Sequence, residues 1–356
     1  MASRVYLRPT AFVDAPFGLD GRVARLAGGL GWFSAVELIG AGGTELVPVE
    51  GLEERLPQLG EAAQAAWANL IAPRPALELG ERVVRLDQPQ VVGILNVTPD
   101  SFSDGGRFEE TQAAVAAGLA MAAAGAAIVD IGGESTRPGS KPVWEGDEAA
   151  RVVPAVKQLA AAGTAVSVDT RKAAVMEAAL AAGATLVNDV SALTWDPRSA
   201  EVVAAAGCPV VLMHHQGPPE TMQHNPRYDR PVLLEIYDWL EARIAAAVAA
   251  GIDRTRIIVD PGFGFGKNVQ HNLRLMNGLA LLHGLGCPLM IGASRKRTIG
   301  ALSGEAPAEQ RLGGSLTLAL QAATQGVQLI RVHDVTETVQ ALRVWRGLRD
   351  AALTPS

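Results

Sequence analysis

Eight short apolar runs rich in β-branched residues recur from residue 91 onward, at 91–97, 127–132, 165–169, 186–190, 209–214, 256–260, 288–293 and 329–333. Each is strand length, and the longer Ala/Leu-rich stretches between them are helix length. Helices are expected over 111–124, 147–162, 171–182 and 232–250, with Gly125, Gly163, Gly183 and Gly251 placed as C-caps. Eight strand–helix units in succession predict an α/β protein, a closed (β/α)8 TIM barrel. An open doubly wound sheet would need a G-x-G-x-x-G turn directly after its first strand, and the glycine-rich segment 262–266 has the wrong spacing. Only 4% of residues are aromatic, which suits small-residue helices packed closely around a parallel sheet.

A barrel of this kind takes about 250 residues, whereas the chain has 356. The surplus lies at the start. Residues 1–85 hold scattered short runs at 5–7, 32–39 and 45–49, a helix expected over 58–70, and a link, Ala72-Pro73-Arg74-Pro75, that breaks regular structure. They read as a small N-terminal α+β extension, or as a segment that plugs or flanks the barrel bottom. Residues 86–356 read as the barrel.

The net charge of −6 offers no overall attraction for nucleic acid or anionic lipid, so neither is an expected partner. Cys208 and Cys287 each precede a proline at the start of an apolar run and read as buried strand-start residues, without metal-ligand or CxxC spacing. The first eight residues lack an apolar signal core, and no stretch approaches the roughly 20 apolar residues of a membrane helix. A cytoplasmic protein is expected.

Polar residues stand at the ends of the runs: Asn96, Glu134, Asp169, Asn188, His214, Asp260, Ser294 and His333. In a (β/α)8 barrel the C-terminal strand ends form one mouth, where ligands bind and reactions take place. One polar strand end is commonly a helix cap. Eight at one face predict a site.

The loop after the first run, Asn96-Val97-Thr98-Pro99-Asp100-Ser101-Phe102-Ser103-Asp104-Gly105-Gly106, is long and dense in oxygen donors. Gly132-Gly133-Glu134-Ser135-Thr136-Arg137-Pro138-Gly139 follows the second run, Asp260-Pro261-Gly262-Phe263-Gly264-Phe265-Gly266-Lys267 the sixth, and Ser294-Arg295-Lys296 the seventh. With Ser167-Val168-Asp169-Thr170, Asn188-Asp189-Val190 and Arg331-Val332-His333-Asp334, this pattern resembles the dihydropteroate synthases, a family of pterin-binding barrels, from about residue 91 to the C-terminus. Residues 1–85 lie outside the resemblance.

The resemblance implies a transferase of folate biosynthesis, sulfonamide-sensitive as a family, that joins a dihydropterin diphosphate to 4-aminobenzoate. It implies that Asp169, Asn188, Met213, Asp260 and Lys296 receive the pterin, and that Asn96, Arg137, Arg331 and His333 meet the diphosphate. Asn96, Arg137, Lys296, Arg331 and His333 are then the catalytic set, and Thr136, Pro138, Phe265, Ser294 and Arg295 the 4-aminobenzoate pocket. Mg2+ is the implied cofactor, on Asn96 and Asp104, because hard oxygen ligands with few protein contacts suit it. A homodimer is implied as well. Arg331 and His333 are two residues apart on a strand and so share a face, which suits a leaving diphosphate. The loops 98–107 and 135–141 are expected to order only around ligand, so that 4-aminobenzoate binds after the pterin diphosphate.

One departure falls at Met213-His214-His215-Gln216-Gly217, where many family members carry Met in place of His215. Met213 keeps its lining role, and His215 reads as an exposed loop residue. Two other readings stand beside this one. A pterin-dependent methyltransferase of the same superfamily would share the pterin carboxylates but not need the 96–106 loop or the Arg331/His333 pair. A non-catalytic pterin-binding protein would have a damaged site, and here Asn96, Arg137, Lys296, Arg331 and His333 all stand in place.

Overall fold

The computed structural model describes residues 4–98, 107–134, 143–217 and 221–354. Strands β1 (Tyr6–Val13), β2 (Ala24–Arg25), β3 (Trp32–Gly40) and β4 (Gly43–Pro48) form an antiparallel sheet in which β3 pairs with the other three. Pro9 is tolerated because β1 is an edge strand. Two helices follow, α1 (Val49–Leu59) and α2 (Glu61–Ile71). The helix expected over 58–70 is α2, which starts three residues later than expected, and α1 before it was not anticipated: Pro57 lies in the last turn of α1, and Gly60, at φ 88°, breaks the chain between the two. This region has its own core, in which Phe33, Val36, Leu52, Trp67 and Leu70 pack with Leu7 and Leu26.

A hairpin, β5 (Leu77–Leu79) and β6 (Arg82–Val84), leads into the barrel. Its strands are β7 (Gln90–Asn96), β8 (Ile128–Gly132), β9 (Val166–Asp169), β10 (Leu186–Asp189), β11 (Val210–Met213), β12 (Ile257–Asp260), β13 (Met290–Ile291) and β14 (Leu329–Val332). All run parallel, with β14 between β7 and β13. A bridge between Val259 and Leu289 joins β12 to the segment leading into β13 and closes the ring. Helices α3 (Arg107–Ala124), α4 (Glu145–Ala161), α5 (Ala173–Ala181), α6 (Ser199–Ala206) and α7 (Val232–Ala249) follow the first five strands. Further on come α8 (Val269–Asn277), α9 (Arg297–Leu302), α10 (Leu312–Thr324) and α11 (Val335–Ala352). Gly125, Gly163, Gly183 and Gly251 all take positive φ at the helix ends, as expected of C-caps. Cys208 and Cys287 are buried free thiols.

Strand side chains alternate between faces, so the barrel interior is read in steps of two. Val92, Ile128, Ala165, Leu186, Val211, Ile258, Met290 and Leu329 form the lowest layer, one from each strand position. Leu77, Leu79, Val84 and Leu86 of the hairpin pack beneath it and close the barrel bottom. Each such buried Val, Leu, Ile or Met side chain contributes roughly 1.5–3 kcal/mol. Two residues further along the same strands stand Asp130, Ser167, Asn188, Met213, Asp260 and Arg331, and the interior changes from apolar to charged within one layer.

Candidate active site

Arg331 stands at the centre of this charged layer. Its Nε lies 2.6 Å from Asp130 Oδ2 and its Nη2 lies 2.6 Å from Asp169 Oδ2. Burial works against the guanidinium charge, but the two carboxylates outweigh it and hold the group above its ordinary pKa. Asn188 donates to Asp130 Oδ2 at 2.9 Å, so Asp130 orients both the cation and the amide. Burial pushes the Asp169 carboxyl up to about 7, with Arg331 opposing and Asp130 reinforcing the shift. Among the described residues, Asp130 Oδ1, Asp169 Oδ1 and Ser167 Oγ are buried with no hydrogen-bond partner. Unpaired buried acceptors are rare in native proteins, and here they suit a ligand rich in N–H groups.

Asp260 enters from β12, and its Oδ1 accepts the backbone N–H of Gly262 at 2.7 Å. Burial raises its pKa, against that bond and the Lys296 charge. Lys296, the N-cap residue of α9, donates to the carbonyl of Phe263 and lies 4.2 Å from the centroid of the Phe265 ring. Burial pulls its ammonium down to about 7, with Asp260 opposing. Met213 is buried on the inner face of β11, as expected of a lining residue.

One layer higher, the backbone N–H of His333 donates to Ser294 Oγ at 3.2 Å, and its Nδ1 lies 3.1 Å from the same oxygen. Asn96 is half-buried at the end of β7. Arg295 takes a positive φ of 58° and makes two bonds to Asp334, one of 3.0 Å from Nε. Its guanidinium is thus already paired, at a strained backbone position of the kind that clusters at functional sites. Asp104, Thr136, Arg137 and Pro138, with most of the loops expected to order around ligand, lie outside the described residues.

Three expectations need correction. Glu134 does not face the barrel interior: it accepts the Val143 N–H at 2.8 Å and pairs with Lys172 at 3.0 Å and Arg171 at 3.2 Å. Asp130 is the inward carboxylate of β8, and strand alternation from Ile128 was the signal for it. His214 likewise points away from the interior, because Met213 before it points in. Its Nδ1 lies 2.9 Å from Lys267 Nζ and its ring 5.0 Å from that of Trp239. His215 is half-buried rather than exposed; its ring meets Trp239 edge-on, and its Nε2 is buried without a partner among the described residues.

A closed parallel barrel with three carboxylates, an amide, a lysine and an arginine around its inner mouth defines a binding barrel for a small polar ligand rich in N–H groups. Comparison with known proteins agrees. The sequence profile described as "Pterin binding enzyme" matches residues 92–333. The dihydropteroate synthase of Neisseria meningitidis serogroup B is 47% identical over 281 residues, covering 77% of this chain and 98% of that protein. The Escherichia coli K12 enzyme of the same name is 48% identical over 260 residues, 73% of this chain and 91% of its own. Among solved structures, a Xanthomonas albilineans dihydropteroate synthase with 4-aminobenzoic acid superposes with TM-score 0.73 at 48% identity, covering 78% of this chain and 98% of that one. Another from the same organism, in complex with 7,8-dihydropteroate, gives TM-score 0.70 at 46% identity, with 77% and 99% covered. The chain belongs to the dihydropteroate synthase family of pterin-binding enzymes.

Proposed function

We infer that this chain catalyses its family's transfer reaction, joining (7,8-dihydropterin-6-yl)methyl diphosphate to 4-aminobenzoate to give 7,8-dihydropteroate and diphosphate. The observation that carries this is the inward layer itself. Asp130, Asp169, Asn188 and Asp260 supply acceptors, and Lys296 and Arg331 supply donors, on rigid strand ends around one small volume. A dihydropterin presents ring N–H groups and an exocyclic amine beside a carbonyl, and so matches such a set. Asp130 joins Asp169, Asn188, Met213, Asp260 and Lys296 in the pterin pocket.

The pterin methylene C–O bond breaks, its electron pair leaves with the diphosphate, and the ring delocalises the positive charge on carbon. The amine nitrogen of 4-aminobenzoate then forms the new C–N bond and loses a proton. Preplaced positive charge and hydrogen-bond donors at the leaving group lower this barrier. Arg331, His333 and Arg137 are the groups assigned to it. Phe265, beside Lys296, and Ser294, beside His333, would line the 4-aminobenzoate side with Arg295, Thr136 and Pro138.

Asn96, half-buried at the end of β7, carries an amide oxygen, a hard donor. Such a donor fits Mg2+ carried largely by diphosphate and water, with Asn96 and Asp104 as protein ligands, where it would neutralise charge on the leaving group. We place a division at about residue 85, with an appended module before it and the hairpin β5–β6 serving the barrel, and propose a cytoplasmic homodimer. No described helix is long and apolar enough to cross a membrane. Incubation with the pterin diphosphate, labelled 4-aminobenzoate and Mg2+ tests the reaction; failure to form dihydropteroate would refute it.

A further inference from the structure

The barrel ring is weakest between β12 and β13. β13 has two residues, and its side of the seam holds to β12 through the Val259–Leu289 bridge, in which Val259 N–H donates to Pro288 O at 2.9 Å. Pro288 has no N–H to return. Yet β13 leads directly into Ser294 and Lys296.

The chain reaches this seam from a fully buried 3-10 helix, Leu279–Leu285. Within its last turn His283 O accepts the Gly286 N–H at 3.0 Å, while the carbonyls of Gly284, Leu285 and Cys287 lie beyond that last helical bond, and buried carbonyls must be paired. Side chains from elsewhere pair them. Asn69 Nδ2 donates to Gly284 O at 2.8 Å, Arg254 Nη2 to Leu285 O at 2.7 Å, Arg74 Nη2 to His283 O at 2.8 Å and Arg74 Nε to Cys287 O at 3.2 Å. Asn69 and Arg74 both belong to the N-terminal region. Arg74 is buried, pairs with no carboxylate among the described residues, and spends its donors on backbone: His283, Cys287 and, at 2.9 Å, Ala72. Gly286 between them takes φ +78°, where a Cβ would stand 2.8 Å from Asn69, so the turn and the N-terminal region are closely fitted.

We propose that Arg74 is a positioning residue for the active site: by tying the turn before β13 to the N-terminal module, it holds the closing seam and so sets where Ser294 and Lys296 stand. The N-terminal module is then a working part of the enzyme, acting on the barrel from outside its mouth. The proposal rests on the assignment of Lys296 to the pterin pocket.

Arg74→Met in the full chain tests it through two readouts. Amide exchange followed by mass spectrometry should quicken by about tenfold in residues 284–296, while residues 128–134 on the opposite side of the ring stay unchanged. In the pH profile of kcat/KM for the pterin diphosphate, the Lys296 inflection, told apart from that of Asp169 by comparison with Asp169→Asn, should rise by about half a unit as the ammonium gains water, with KM affected more than kcat. Arg74→Lys should restore part of both. If Arg74→Met does not fold, Arg74→Lys and Asn69→Ala, which each remove part of the same donor set, carry the same comparison. Unchanged exchange at the seam, or exchange quickened equally in every strand with the inflection unmoved, would overturn the proposal. A wild-type enzyme that forms no dihydropteroate would instead sink the functional reading and leave the exchange comparison standing.

Discussion

Asp130 and Arg331, 201 positions apart in the chain, meet at 2.6 Å in the middle of the barrel, and through this pair the guanidinium is aimed along the inner face. Asp130→Asn turns an acceptor facing Arg331 into a donor and leaves Asp169 as its one remaining carboxylate partner among the described residues. Removing one member of a buried pair typically costs about 3–5 kcal/mol, and the surviving Asp169 contact places this variant near the lower end. Urea unfolding should show that loss, and an unchanged midpoint would contradict the pairing.

Asp260→Asn should keep the fold, because an amide oxygen can still accept the Gly262 N–H. It should weaken dihydropterin binding by about 2–4 kcal/mol, as a charge-assisted acceptor is lost. Calorimetry giving wild-type affinity would remove Asp260 from the pocket.

His333→Ala should lower turnover more than it weakens pterin binding. The imidazole stands beside Ser294, and the role proposed for it is to meet the charge that the leaving group gathers as the C–O bond breaks. Steady-state kinetics set beside direct binding would tell; equal losses in both would mean a ground-state positioning role.

The Lys296 ammonium is held near 7 in the fold against an ordinary 10.5, so between these values the unfolded chain keeps a proton that the folded chain has released. Stability therefore rises with pH across that window, and below it the full burial cost is present. Lys296→Met should stabilise the ligand-free protein at pH 6 by on the order of a few kcal/mol, with the margin shrinking toward pH 10. Unfolding curves at three pH values check this, and a margin independent of pH would refute it.

The strand–helix succession, the C-cap glycines and the loop motifs were legible without coordinates, since backbone periodicity and turn chemistry are local properties. So were the inward positions of Asn96, Asp169, Asn188, Met213, Asp260 and Arg331: each lies on the same step of its strand as the apolar layer below, and that step is written in the alternation of residues. Glu134 was misplaced because it lies two residues past the end of β8, where strand alternation no longer sets direction, and His214 because a polar residue at a strand end states nothing about its face until the register is counted from the apolar layer below. Asp130 was missed for the same reason, being set among Ile128, Val129 and Ile131 with only its parity to mark it. Tertiary structure alone decided that the hairpin of residues 77–84 closes the barrel bottom, and that Arg74 caps a turn more than two hundred residues away. Such pairings depend on which buried carbonyls lack partners once the chain has closed on itself, a condition that exists only in the folded ring.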